Sequence, residues 1–221
     1  MPRDTLTRDQ IVTTAVQLLD DEGLEGLNMR SLGKRLGAAP TAVYWHVKNK
    51  DDLVVLVGDH VWQEVELPGI DPADWRTAAV AMADGLHAML CRHPWLVQAL
   101  GSHLFYGPGK ARYDDHSLAV YEAAGFTGAE ADRAAAAVFT YVLGNAVGAS
   151  AQASLTRRLG RDGGDPEQLF QETLAKATEV AERFPRLRAR LGSAAADYNA
   201  APDDTYATGL HALLDGLTAA M

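Results

Sequence analysis

One stretch decides the fold: Leu36-Gly37-Ala38-Ala39-Pro40-Thr41-Ala42-Val43-Tyr44-Trp45-His46-Val47-Lys48-Asn49-Lys50. Gly37 supplies the permissive backbone needed to leave a helix. Asn28, followed by Met29, Leu32 and Leu36 on one face, caps the start of that helix. Four residues, Gly37 to Pro40, then separate it from a further helix beginning near Thr41. At about 100° per residue, Thr41, Ala42, Tyr44, Trp45 and Lys48 share one side of this further helix, while Val43 and Val47 lie opposite and His46 sits at the edge. Two short helices joined by a glycine-bearing turn, with a preceding helix to cover them, predict a helix-turn-helix whose second helix can enter a major groove. The valines suit a core. The hydroxyls, ammonium and imidazole suit phosphate oxygens, and the Thr methyl and Ala suit thymine methyls. Trp45 and His46 also suit packing against a neighbouring domain.

Outward from this stretch the chain reads as helix throughout. Alanine occurs 38 times, strand-like alternation is nearly absent, and apolar residues recur at spacings of three and four. Thr7 and Gln10 form a capping box ahead of Ile11, Ala15, Leu18 and Leu19, and Gly23 is expected to end that first helix. After Lys50 a longer helix is predicted through Leu53, Leu56, Val57 and Val61 to Leu67 and Pro68. Pro68, Gly69 and Pro72 mark a boundary, giving a head over residues 1–66 and a body over 67–221. In the body, helices are expected at about 73–92, 94–102, 110–124, 128–159, 166–184 and 203–219, with breaks at 107–109, 160–164 and 200–202. The fold class is all-α: an N-terminal three-helix head and a C-terminal helical bundle.

Composition narrows the function classes. The chain of 221 residues carries a formal net charge of -9, yet residues Asn28 to Lys50 hold Arg30, Lys34, Arg35, Lys48 and Lys50 with no Asp or Glu. The other 198 residues therefore carry -14. Such segregation points to a polyanion-facing patch on an acidic body, since counterion release depends on local phosphate contacts. A lone cysteine, Cys91, excludes an intramolecular disulfide framework and fits a reducing cytoplasm. Early charges at Arg3, Asp4, Arg8 and Asp9 predict no targeting segment. The uncharged stretch between Arg133 and Arg157 is long enough to cross a bilayer, but its Ala, Gly, Ser, Thr140, Asn145 and Gln152 content predicts no membrane span.

The stretch from Leu36 to Lys50, following Met29-Arg30-Ser31-Leu32, resembles the DNA-binding head of the tetracycline-repressor (TetR) family, most specifically in Tyr44-Trp45-His46-Val47-Lys48-Asn49-Lys50. The resemblance covers about residues 7–66; beyond residue 70 it is limited to helix layout and pieces such as Arg92-His93-Pro94-Trp95-Leu96. Matched position by position, it implies that Arg30 and Ser31 lie near DNA at the start of the supporting helix. It implies also that Pro40, Thr41 and Ala42 face bases, that Tyr44, Trp45 and His46 touch the sugar-phosphate edge, and that Lys50 binds phosphate. Lys48 joins this set from its place on the exposed face. Pro40 stands where a tetracycline-binding member has a longer polar side chain, so the resemblance does not carry the operator sequence over. Met82 and Leu86 stand where such members place Asn and Phe, so a tetracycline-magnesium inducer is not expected.

One short reading helix gains affinity by pairing half-sites, so a homodimer on a palindromic double-stranded operator is expected. Ala134, Ala137, Tyr141, Gly144, Gly148 and Gln152 form a stripe of mostly small residues for close helix approach, and Tyr206, Leu210, Leu213, Leu214 and Leu217 form a second stripe. Both stripes fit a four-helix dimer interface or internal core. Family members hold a small-molecule inducer between head and dimer helices. Candidate ligand contacts there are Trp62, Met82, Leu86, His87, Met89, Trp95, Phe105, Tyr113, His116 and Phe139. The overall expectation is a ligand-responsive transcriptional regulator, a repressor by family habit, with no cofactor, metal or catalytic residues. The competing readings are an all-helical binding protein or enzyme with a structural head, the enzyme built on His87, Cys91 and His93, and a metal sensor using His87, Cys91 and a third ligand from His103 or His116.

Overall fold

The computed structural model describes residues 6–161, 165–191 and 205–219. Among them the secondary structure is helical, without strands. The elements are α1 (Arg8–Gly26), α2 (Met29–Leu36), α3 (Pro40–Tyr44), α4 (Lys50–Trp62), a 3-10 turn (Pro72–Asp74), α5 (Trp75–Arg92), α6 (Pro94–Leu100), α7 (Pro108–Ala123), α8 (Ala129–Arg161), α9 (Pro166–Ala181), α10 (Pro185–Arg188) and α11 (Thr205–Ala219). Of the expected break at 160–164, Gly160 and Arg161 are still helical in α8, and 162–164 lie outside the described residues, as do 200–202 and the expected start at Asp203. The chain divides into two compact units, Met1–Ala137 and Val138–Met221.

The head forms as its caps dictate. The Thr7 hydroxyl accepts from the Gln10 amide while the Gln10 side chain accepts from the Thr7 amide, completing the capping box. Asn28 accepts from the amides of Arg30 and Ser31 at the start of α2, and Asn49 accepts from Asp52 at the start of α4. Pro40 begins α3, where its missing N–H costs nothing. Gly23, at φ 71° and ψ -177°, interrupts α1 as expected, and a short helical turn beyond it runs to Gly26. Other expectations shift. The helix after Lys50 stops at Trp62, so Leu67 and Pro68 belong to the connection. The expected sixth helix of the body likewise divides, α9 ending at Ala181 and the short α10 following Pro185.

Ile11, Leu18, Leu19, Leu32, Val43, Leu53, Val54 and Val57 form the buried core of the head, and α1 packs on α2, α4 and α6. The contact with α6 brings Trp95 and Leu96, both fully buried, against the head. Within the second unit, Tyr141 of α8 donates its hydroxyl to the carbonyl of Tyr206 at 2.8 Å and stacks on that ring with centroids 5.9 Å apart. Gly209 makes room for this approach, since a Cβ there would lie 2.1 Å from the Tyr141 oxygen. The Ala129–Arg157 portion of α8 is long and apolar enough to cross a bilayer by length and composition, with 29% of that window buried inside the protein.

Candidate nucleic-acid interface

The turn between α2 and α3 is set by two glycines. Gly37 adopts φ 62°, and the Ala38 amide donates to Gly33 O at 2.9 Å. Gly33 is needed for a different reason: a Cβ on it would stand 2.8 Å from the Ala38 carbonyl oxygen and 3.3 Å from Pro40 N. Gly33→Ala is therefore expected to push α3 away from α2 and to cost about 1–3 kcal/mol of stability, as overpacked sites do. Thermal denaturation beside a DNA titration checks this; unchanged stability and affinity would contradict the close approach.

On α3 and the following turn, Val43 and Val47 are buried while Pro40, Thr41, Tyr44, Trp45, His46 and Lys48 are exposed and Ala42 is half-buried. Trp45 is 88% exposed and Tyr44 52%, which rules out packing on a neighbouring part of this chain as the role of the tryptophan. A large aromatic pair held outside the core by two valines on the reverse face is a contact surface for something else. Arg30 is exposed at the start of α2. Ser31 is half-buried, its hydroxyl donating to Gly26 O at 3.1 Å.

The basic run is smaller in space than in sequence. Arg35 donates to Asp21 at 2.6 Å and Glu22 at 2.9 Å, and these bonds push its pKa further up. Its charge is thus neutralised by α1. Lys50 donates to the Leu24 carbonyl at 2.6 Å, bracing α4 against the end of α1. Arg30, Lys34 and Lys48 are exposed, as is Arg35 beside its two carboxylates, whereas Lys50 is half-buried. The signal for Arg35 was present in the acidic run Asp20-Asp21-Glu22, but only the packing of α1 on α2 brings it within reach.

The candidate ligand residues fall in both units, Phe139 in the second and the rest in the first. Trp62, Met82, Leu86, Met89, Trp95, Phe105 and Tyr113 are buried, whereas His87, His116 and Phe139 are half-buried. Trp62 and Tyr113 are neighbours, with ring centroids 5.0 Å apart, and burial pushes the Tyr113 phenol strongly up, keeping it neutral. Two polar groups are engaged within the protein: Trp95 Nε1 donates to Asp20 at 2.8 Å, and His116 Nε2 donates to the Pro68 carbonyl at 2.8 Å. Cys91 Sγ lies 3.7 Å from His87 Nε2. Burial lowers the pKa of His87 and raises that of Cys91, so this environment favours thiol and neutral imidazole over the ion pair a nucleophile requires. Among the described residues no three metal-ligating side chains converge.

Sequence reasoning missed Asp59. Its carboxylate, 8% exposed on α4, accepts from the Lys110 amide at 2.9 Å, near the start of α7. Gly107 and Gly109 permit this, for a Cβ on either would collide with Asp59. Arg112 of α7 adds a bond to the Val65 carbonyl at 2.8 Å. Helix α4, which leaves the head, is therefore held along α7 by backbone-directed polar contacts.

A three-helix head that presents an aromatic and basic surface on the second half of a helix-turn-helix defines a DNA-binding protein of that class. Residues 11–57 match the bacterial regulatory proteins of the tetR family, and residues 67–221 match the tetracyclin repressor-like C-terminal domain. The chain belongs to the TetR family of bacterial transcriptional regulators. It is 33% identical over 218 residues to the transcriptional repressor DrrR1 of Streptomyces coeruleorubidus, covering 98% of this chain and 78% of that one. A transcriptional regulator of Saccharopolyspora erythraea is 40% identical over 140 residues, which span 63% of this chain and 59% of that protein. The structure of ActR from Streptomyces coelicolor in complex with actinorhodin is similar at a TM-score of 0.76 and 28% identity, covering 99% of this chain and 98% of that one.

Proposed function

We propose that the protein is a cytoplasmic, homodimeric repressor that binds a palindromic operator and is released from it by a small molecule. The observation that carries this reading is the exposure of Tyr44, at the end of α3, and Trp45, in the turn that follows, while Val43 and Val47 of the same segment are buried. Residues 1–66 act as the DNA-binding domain and residues 67–221 as the ligand-binding and dimerisation domain. Thr41 and Ala42, with the Pro40 ring, meet base edges; Arg30, Tyr44, Trp45, His46 and Lys48 meet the sugar-phosphate edge. Lys50, already bonded to Leu24, reaches phosphate only by giving up that bond, so its main contribution is to hold α4 on α1. Ser31 acts in the same way, through its bond to Gly26.

Dimerisation through α8 and α11 is supported by an exposed row on α8, Thr140, Gly144, Val147 and Ala151, with Val147 49% exposed. The Gln152 side chain lies outside the described residues. Tyr141, Leu210 and Leu214 instead pack within the protomer. A ligand site in the body is supported by the likeness to ActR, which binds actinorhodin, across nearly the whole chain. Met82 and Leu86, both buried and with no side-chain donor or strong acceptor, favour an inducer other than tetracycline-magnesium.

Salt dependence tests the DNA reading. On an operator recovered from genomic DNA, Lys48→Ala is expected to weaken binding evenly across sequences and to reduce the slope of log affinity against log salt by about one unit. An unchanged slope would remove Lys48 from the interface. Sedimentation should show a dimer at micromolar concentration, and a monomer there would sink the paired-head account.

A further inference from the structure

Helix α1, the turn after α4 and the α5–α6 junction meet at one buried side chain. His93 is 3% exposed, and each ring nitrogen faces a carboxylate: Nδ1 lies 2.8 Å from Asp20 Oδ1, and Nε2 lies 3.2 Å from both oxygens of Glu64. The same Asp20 oxygen accepts from Trp95 Nε1, while Glu64 pairs with Arg92. A neutral imidazole has one N–H, so it can serve one carboxylate and must turn a lone pair toward the other. The imidazolium donates to both.

We infer that His93 is a buried imidazolium that positions the DNA-reading head, tying α1 through Asp20 and the end of α4 through Glu64 to the α5–α6 junction, so that the head's placement depends on one proton. The backbone that carries the ring is itself fixed. His93 sits between the last residue of α5 and Pro94, and its amide donates to Met89 O at 2.9 Å. The charges facing it are Asp20 from α1, Glu64 from the turn after α4 and Arg92 from α5, with Glu66 lining the same shallow pocket as Glu64 and Arg92. Arg92 is largely exposed and directed at Glu64, so the surroundings are net acidic and favour the cation. Burial pulls the His93 pKa down, but the bonds and charges of Asp20 and then Glu64 outweigh it, and the net shift is upward.

The sign follows from that shift. A folded-state value above the unfolded one means that the stabilisation is complete below the ordinary histidine range and is lost as pH rises through the raised value. Imidazole nitrogen NMR and amide hydrogen exchange, followed from about pH 5.5 to 9.5 on the wild type, Asp20→Asn and His93→Gln, test the inference. Both ring nitrogens of His93 are expected to carry protons at neutral pH. Through its titration, protection in the last turns of α1 and in residues 62–66 should fall about tenfold beyond the intrinsic pH dependence of exchange. Asp20→Asn should move the titration down by about one unit, and His93→Gln should abolish the step. A neutral ring at neutral pH, or a titration that leaves exchange unchanged, overturns the inference. The wild type and Asp20→Asn decide the matter even where His93→Gln fails to fold. None of these readouts involves DNA or inducer, so they stand apart from the operator-binding account.

Discussion

Replacing Tyr44 and Trp45 together by Ala is expected to lower operator affinity by about two orders of magnitude while leaving the fold intact. A hydrogen bond to a charged group contributes about 1.5–3 kcal/mol. Loss of the Tyr44 hydroxyl from a phosphate together with the Trp45 ring from the sugar edge therefore reaches about 2.7 kcal/mol, which is a hundredfold in affinity. Stability should hardly change. Trp45 at 88% exposure and Tyr44 at 52% contribute little to the core, and substitutions at such positions usually stay within about 0.5 kcal/mol. The measurement is a DNA titration beside a melting curve on the same preparation. Affinity retained within a factor of a few, or a large fall in Tm, would mean that the pair serves the fold and not the operator.

The largest effect on stability is expected at Trp95. The side chain is fully buried at the contact of α6 with α1, and its N–H donates to Asp20. Truncating a buried Trp to Ala costs about 3–5 kcal/mol. In a chain of this size about 4 kcal/mol lowers Tm by roughly 8–16 °C. Trp95→Phe weighs the two contributions differently, since it keeps most of the volume while removing the donor and part of the ring, for about 1–3 kcal/mol from the lost hydrogen bond. Scanning calorimetry checks both. A Trp95→Ala protein melting within a few degrees of the wild type would show that α6 does not support the head.

The features legible in the sequence are those whose causes are local. Thr7 with Gln10, Asn28 and Gly37 each act within a few residues of themselves, and all three cap as their spacing indicates. Val43 and Val47 are buried and Tyr44, Trp45 and Lys48 exposed as helical spacing indicates, although α3 itself ends at Tyr44 and Trp45 to Lys48 lie in the segment that follows. What the sequence could not show depends on distant packing. Arg35 and Lys50 count as two charges for phosphate until α1 approaches and engages both. His93 reads as a neighbour of Cys91 and His87, whereas its partners are Asp20 and Glu64, separated from it by 73 and 29 residues. Asp59 is one acid among many until α7 begins at its carboxylate.

The central claim is that the head reads one DNA sequence as a paired unit. Its most direct test is to incubate the purified protein with fragmented host genomic DNA at near-physiological salt and to sequence what is retained. The account predicts a few fragments sharing a palindrome, with half-site centres about one to two helical turns apart, and their loss with the Tyr44→Ala/Trp45→Ala protein. Retention without a shared sequence, by a protein stripped of any bound small molecule, or retention indifferent to Tyr44 and Trp45, would contradict it.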